Sequence, residues 1–232
     1  MSISFVVPTL NEQGNVTRIY ALINKALDGS SCRWEVLFVD DNSTDNTQAE
    51  IKSLNSSKVK LIISPERRGL GAALSLGWRN STHDFILFLD CDSGISSSDL
   101  RLLISSREAG CVVIGSRYLK KSAIYGASKI KVFLSKVLNR FAGFIININV
   151  ADLSHSLRIF PNDYIEITEI LTHPGYFWLQ GLVFKDKGYG FKEIPITFYE
   201  RNIGLTKNKT RHMLLSVIKS FTKIIIIRLK GK

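Results

Sequence analysis

What most restricts this chain is a rhythm. Short apolar runs of strand type alternate with stretches of helical periodicity, and the runs close on polar or acidic residues. Residues 3–7 (ISFVV) form the first run, halted by Pro8. Over 12–27, apolar residues recur at Val16, Ile19, Tyr20, Ile23 and Leu27, which is one face of a helix that Glu12 is expected to begin. A second strand is predicted over 34–39, ending in Asp40 and Asp41, and Ser43, Thr44 and Asp45 read as the cap and first turn of the next helix. Strands follow at 59–63, 85–89 and 111–114, with helices at 71–79 and 98–107 between them. Such alternation with short loops specifies a doubly wound, mostly parallel α/β sheet. Ligands in these sheets bind beyond the carboxyl ends of the strands, where Asp40/Asp41 and Asp90/Asp92 both fall.

Beyond residue 120 the rhythm changes. Helices are expected at 128–142, 162–171 and 177–187, with strands at 157–160 and 191–196. The final stretch, 209–229, is helical and very apolar, with Met213, Leu214, Leu215, Val217, Ile218, Phe221 and Ile224 to Ile227. No repeat or low-complexity linker divides the chain, and 232 residues at 45% hydrophobic content suffice for one large domain. The expected organisation is a domain over 1–208 followed by a basic, apolar C-terminal helix over 209–232.

Net charge is +11, so an anionic partner is expected: a phosphorylated small molecule, a membrane surface or nucleic acid. The distribution separates these. Lys207, Lys209, Arg211, Lys219, Lys223, Arg228, Lys230 and Lys232 crowd the last segment with no acid among them, which argues against nucleic acid. The tail could lie in a headgroup region, or pack on the domain or on another subunit, and it could also contact a membrane-protein partner. No basic segment followed by an apolar core opens the chain, so a secretory leader is not expected. No apolar stretch approaches the ~20 residues that span a bilayer. Cys32, Cys91 and Cys111 are widely spaced, which fits a reducing cytoplasm and argues against a zinc site.

Three strand ends carry chemistry. FLDCD (88–92) sets Asp90 and Asp92 two residues apart after a buried strand, a spacing that lets two carboxylates share Mg²⁺ or Mn²⁺ and the phosphates it bridges. Alone, Asp92-Ser93-Gly94 is equally a turn. VPTLNE (7–12) and VDDNSTDNT (39–47) would each pass as turn and capping sequences, but together they put three acidic ends on one rim.

These motifs, with RRGLGAALSLG (67–77), VVIGSRY (112–118), ADLSHSLRIF (151–160), KEIPITFYER (192–201) and GLTK (204–207), occur in the order and spacing of family 2 glycosyltransferases. Within that family the chain resembles the dolichol-phosphate mannose synthase group of polyprenyl-phosphate sugar transferases, over roughly residues 3–207. The resemblance implies a glycosyltransferase A type fold and an inverting, metal-dependent transfer from a nucleotide-sugar (GDP-mannose or a UDP-hexose) to a polyprenyl phosphate at the cytoplasmic face of a membrane. It also implies site residues. Pro8, Leu10, Glu12, Val39 and Asp41 match positions that cradle base and ribose. Asp90, Cys91 and Asp92 match the Asp-x-Asp motif, with Asp90 and Asp92 as metal ligands. Arg117, Lys131, Arg201 and Lys207 match cationic positions near the donor and acceptor phosphates, and Arg158 could join them. Asp92, Arg117 and Arg201 are the expected catalytic residues.

The acceptor can be argued. Transfer to a hydroxyl needs a base, whereas a phosphate monoester is already anionic. In hydroxyl-using relatives an acid opens the helix corresponding to 177–190. Here Gln180 and Gly181 stand there, which favours phosphate and leaves Asp152 as the fallback base. The chain also departs from the group. Gly94, Ile95 and Ser96 replace a Gln/Ser-His-Pro run, so water or a substrate oxygen would complete the metal shell. His155 replaces a glycine, and Lys131 an arginine, keeping charge but losing the bidentate fork. These departures imply an altered substrate or reduced activity, and leave open a saccharide or lipid hydroxyl acceptor or a non-catalytic nucleotide-sugar binder.

Overall fold

The computed structural model describes residues 1–162 and 188–199. The helices expected at 162–171, 177–187 and 209–229, together with Arg201 and Lys207, lie outside the described residues apart from Asn162.

Strands β1 (Ser2–Thr9), β2 (Arg33–Asp40), β3 (Val59–Ile63), β4 (Phe85–Phe88), β5 (Cys111–Ser116), β7 (Arg158–Pro161) and β8 (Gly190–Pro195) form one sheet in the order β3-β2-β1-β4-β7-β5-β8. All pair in parallel except β7, which runs antiparallel to both β4 and β5. A parallel pair, β6 (Ala123–Tyr125) and β9 (Thr197–Tyr199), makes a second small sheet. The helices are α1 (Val16–Leu27), α2 (Thr47–Ser53), α3 (Leu70–Arg79), α4 (Ser97–Ser105) and α5 (Lys129–Ile146).

Alternation along each strand builds two cores. Ile3, Phe5 and Val7 join Val36, Phe38, Phe85 and Leu87 on one face, against Val16, Ile19 and Ile23 of α1 and Leu100 and Leu103 of α4. Val6, Leu37, Val39, Ile86 and Phe88 point the other way, to Ala73, Leu74 and Trp78 of α3 and Ala142 and Ile146 of α5. Burial on both faces explains why these strands are continuously apolar rather than alternating with polar residues. Gly77 lets α3 settle on the sheet, since a Cβ there would lie 2.3 Å from Val6 Cγ1.

The chain builds outward from β1 to β3 and then returns to β4 on β1's other side, so the order reverses between β1 and β4. Because β5 is parallel to β4, the residues after β1, β2, β4 and β5 all emerge on one rim, with the start of β7. Two helix starts differ from expectation. α1 begins at Val16, after a turn in which Asn15 N donates to the Glu12 carbonyl. α2 begins at Thr47, whose N–H donates to Asp45 Oδ1, while Ser43 and Thr44 serve the neighbouring loop.

Candidate active site

Asn11 and Asn42, just past β1 and β2, both take left-handed backbone conformations, which turn the chain sharply at the rim. Asn11 cross-links the loops: its N–H donates to Ser43 Oγ (2.9 Å) and its Oδ1 accepts from Thr44 N (2.8 Å). Asp40 is fully buried and accepts from Thr9 Oγ1, Ser43 N and Oγ, and Gln48 Nε2. Asp41 accepts from the backbone N–H groups of Arg68 (2.9 Å) and Gly69 (2.8 Å), holding the loop that opens α3. Pro8, Leu10 and Glu12 are partly exposed along this rim, with Val39 buried beneath it, and Glu12 Oε2 accepts from Asn15 Nδ2. The expected nucleoside-cradling residues thus share one edge of the sheet, although the carboxylate of Asp41 is engaged by backbone.

After β4, Asp90 and Asp92 are partly exposed while Cys91 between them and Ser93 after them are buried. Burial pushes the Cys91 thiol far above its ordinary range, so it is an inert packing residue rather than a nucleophile. Asp90 Oδ2 accepts from Ser156 Oγ at 2.6 Å. Arg18, on α1, donates to the carbonyls of Ser93 (3.0 Å) and Cys91 (3.2 Å), fastening this loop from the opposite side. Among the described residues no group of three or more His, Cys, Asp or Glu side chains gathers. Among the described residues, Asp90 and Asp92 are the paired carboxylates of this loop, which fits a hard cation such as Mg²⁺ or Mn²⁺ that takes one or two carboxylates and completes its shell with other oxygens.

Gly94 departs from the expected metal-shell side chain for a steric reason. A Cβ there would lie 2.0 Å from the Tyr199 carbonyl oxygen. Strand β9 crosses the loop at this point: Tyr199 N donates to the Gly94 carbonyl, Ile95 bridges to Phe198, and Thr197 N donates to Asp99 Oδ2.

After β5, Arg117 meets Asp152 through Nε and Nη2 at 2.8 and 2.9 Å, and its backbone N–H donates to the same carboxylate. Burial opposes ionisation of Asp152, but the hydrogen bonds and charge of Arg117 outweigh it and hold the carboxyl below its usual range. Burial likewise disfavours the guanidinium, and the bonds to Asp152 raise it again. Glu193 of β8 anchors the turn by accepting from Ala151 N and Asp152 N. The fallback base is thus fully buried and clasped, an orienting group for Arg117 rather than a proton acceptor open to substrate.

His155 is buried against the edge of Phe198, and its Nδ1 lies 2.8 Å from the Gly115 carbonyl. A carbonyl only accepts, so this nitrogen carries the proton, and the depressed pKa that follows from burial leaves the ring neutral near pH 7. Burial, with the nearby Arg117 charge, lowers its pKa to about 4. Arg158 is also interior, donating to the carbonyls of His155 (2.9 Å) and Leu153, which puts its charge beneath the rim rather than at its surface. Lys131 is exposed in the first turn of α5. Arg18, Ser156 and Glu193 are the structural additions to the expected set. Ser156 and Glu193 lie inside the motifs that carry the resemblance, but nothing in the sequence marks Arg18.

Comparison with known proteins bears on the family and the fold. The signature of "Glycosyl transferase family 2" matches residues 4–167. Polyprenol monophosphomannose synthase of Mycolicibacterium smegmatis is 26% identical over 213 residues, 87% of this chain and 79% of that protein. Dolichol-phosphate mannosyltransferase of Pyrococcus furiosus is 28% identical over 214 residues, 90% of this chain and 60% of that protein. Among solved structures, mannosyl-3-phosphoglycerate synthase from Rubrobacter xylanophilus superposes with a TM-score of 0.72 at 14% identity, covering 100% of this chain and 75% of that one. Glucosyl-3-phosphoglycerate synthase from Mycobacterium tuberculosis, in complex with Mn²⁺, uridine diphosphate and phosphoglyceric acid, gives 0.65 at 18% identity, covering 96% and 78%.

Proposed function

The chain belongs to glycosyl transferase family 2, and from that premise we propose that it moves a sugar from a nucleotide-sugar to a polyprenyl phosphate by inverting, metal-dependent transfer at the cytoplasmic face of a membrane. The relatives named for polyprenol and dolichol phosphates support this acceptor. The observation that carries it is the burial of Asp152 in the fork of Arg117. A hydroxyl acceptor needs a base at the reacting oxygen, and this carboxylate is turned into a support for a cation.

In the proposed step a phosphate oxygen of the acceptor attacks the anomeric carbon as the bond from that carbon to the donor diphosphate breaks. The acceptor brings its electron pair as an anion, so no proton need leave it, and the nucleoside diphosphate departs with the bonding electrons. The rim residues Pro8, Leu10, Glu12, Val39 and Asp41 bound the nucleoside. Asp90 and Asp92 would hold Mg²⁺ or Mn²⁺, which supplies positive charge to the leaving diphosphate. Ser156 and Arg18 keep the Asp90–Asp92 loop in place. Arg117, with Lys131, offers fixed positive charge where the two phosphates converge, and Arg201 and Lys207 are assigned the same task. Whether the donor is GDP-mannose or a UDP-hexose is left to the assay.

The test incubates the protein with Mg²⁺ or Mn²⁺, labelled nucleotide-sugars and a short polyprenyl phosphate, and follows label into the organic phase. Label from one donor is expected, with loss in Asp92→Asn. A donor that binds by calorimetry while no label transfers would overturn the acceptor, and unchanged transfer by Asp92→Asn would overturn the metal site.

A further inference from the structure

The buried face of α5 carries one polar side chain. Ala142, Gly143 and Ile146 are buried along it, and Asn139, one turn earlier, has no exposed surface. Its amide is only half satisfied. Nδ2 donates to the Ser135 carbonyl at 2.8 Å and to Ser154 Oγ at 2.9 Å. That carbonyl can only accept, so the nitrogen is the atom that faces it. Oδ1 is buried and meets no donor among the described residues. A leucine would fill a similar volume without an orphaned oxygen, and an amide oxygen taken from water with no donor weakens a fold. Packing therefore does not explain why an asparagine stands here.

The hydrogen bonds around Ser154 do. Its Oγ accepts from Asn139 Nδ2 and from Arg117 Nη2, the latter at 3.1 Å. Both neighbours are donors, so the hydroxyl sends its own hydrogen to Asp152 Oδ1, 3.3 Å away. The Arg117 guanidinium is thus held along one side, Nε and Nη2 to Asp152 and Nη2 again to Ser154. Nη1 lies on the other side of this planar group and brings two further N–H donors. Asn139 steadies a second flank through Ser135. Tyr118, whose ring centroid is 5.2 Å from Arg117 Cζ, donates to Ser135 Oγ at 2.7 Å.

Resting on the transfer proposed above, we propose that Asn139 is a positioning residue for Arg117. Acting through Ser154, it fixes the guanidinium so that the Nη1 N–H groups meet the oxygens of a substrate phosphate. Asn139 itself touches no substrate. Without its amide the Ser154 hydroxyl is free to turn, Arg117 Nη2 loses a fixed acceptor, and the fork loosens while its charge stays in place. The loss is one of orientation rather than of charge.

Asn139→Leu separates positioning from a merely structural role. It removes the amide and its orphaned oxygen together, so the thermal transition should stay at or above that of the wild type. Transfer of label to a short polyprenyl phosphate should nevertheless fall about tenfold or more in kcat. Ser154→Ala should show a similar loss, and Ser154→Thr, which keeps the hydroxyl, should recover most of it. In an Arg117→Lys background Asn139→Leu should add little, because the two effects share one path. A readout that needs no turnover is the Arg117 Nε–H, followed by NMR in protein carrying isotopically labelled arginine. Its exchange with water should be several-fold faster in Asn139→Leu. Wild-type kcat or wild-type exchange in folded Asn139→Leu would overturn the proposal. So would a loss that multiplies with that of Arg117→Lys, or a collapsed thermal transition in Asn139→Leu beside wild-type kcat in Ser154→Ala. If exchange quickens in Asn139→Leu but the wild type glycosylates no acceptor, the positioning of Arg117 stands and the transferase assignment fails. If the wild type transfers label and Asn139→Leu changes neither kcat nor exchange, the transferase assignment stands and the positioning role is overturned.

Discussion

Arg117 and Asp152 meet in a two-pronged contact, Nε to Oδ2 at 2.8 Å and Nη2 to Oδ1 at 2.9 Å, with the carboxylate fully buried and the guanidinium 18% exposed. The arrangement points the positive end toward the rim and leaves the negative end inside. Its consequence is a separation of roles that pH can read. Asp152→Asn should cost about 3 kcal/mol of stability, because it leaves a largely buried charge without its counter-charge. It should also lower transfer while leaving the shape of the pH–rate profile unchanged. Disappearance of the acidic limb would instead identify Asp152 as the base. Urea unfolding and kcat/KM across pH separate the two outcomes.

Arg18 fastens the Asp90–Asp92 loop through the Cys91 and Ser93 carbonyls while lying on the outside of α1. Arg18→Gln can keep at most part of this pair of bonds, and the loop should loosen. Because Arg18 is exposed, the melting temperature should move little, whereas the Mn²⁺ concentration for half-maximal activity should rise several-fold. Arg18→Lys should recover only part of the loss, since a point charge does not reproduce a fork. Metal titrations of the three proteins decide it.

Much of this was legible beforehand, for identifiable reasons. The strands β1, β2, β4 and β5 bury both faces and so appear as largely apolar runs, whereas β3, at the sheet's edge, is half-exposed and carries Lys60, and the rim follows from their parallel order. The antiparallel β7 was legible as a strand but not in direction, because its partners are fixed by tertiary pairing with Phe88 and Ile114. The three-residue strands β6 and β9 are too short to carry a period and were missed. Gly94 could be seen to break the family pattern, but its reason is a backbone that arrives from 105 residues along the chain. Arg158 and Asp152 were singled out as charges, and only packing shows that both point inward.

Acid should weaken the fold in two steps. The neutral His155 ring has a folded pKa of about 4 against an ordinary 6.5, so the unfolded chain takes up a proton first as pH falls. Its contribution is complete above about pH 6.5 and is lost toward pH 4, worth at most about 3 kcal/mol. Glu35 is lowered from 4.5 to about 2: burial works against ionisation, but Lys60, Ser4 and Thr82 together prevail. Its contribution is complete above about pH 4.5 and is lost as pH falls toward 2. His155→Asn keeps a donor for the Gly115 carbonyl without titrating, and should flatten the upper step alone. Glu35→Gln should reduce the lower one without abolishing it, because Asp152, Asp45, Glu50 and Asp84 are also held below their usual range by their hydrogen bonds. Urea midpoints between about pH 7 and pH 3 test both assignments.

The crossing of β9 over the Asp90–Asp92 loop makes Gly94 a structural requirement. Restoring the side chain that relatives carry should therefore harm the protein. In Gly94→Gln, as in Gly94→Ala, the new Cβ would be driven to 2.0 Å from the Tyr199 carbonyl oxygen, a backbone atom that cannot swing aside. Either β9 lifts, breaking the Tyr199–Gly94 hydrogen bond and the Ile95–Phe198 bridge, or the loop carrying Asp92 shifts. Both routes should cost on the order of 2 kcal/mol and reduce transfer for either substitution. Hydrogen exchange distinguishes them, since lifting of β9 would expose the amides of both Thr197 and Tyr199, while a loop shift would free Tyr199 from the Gly94 carbonyl and leave Thr197 protected by Asp99. A Gly94→Gln variant with wild-type stability and tighter Mn²⁺ activation would show that the strand yields and that the glycine is only a missing ligand.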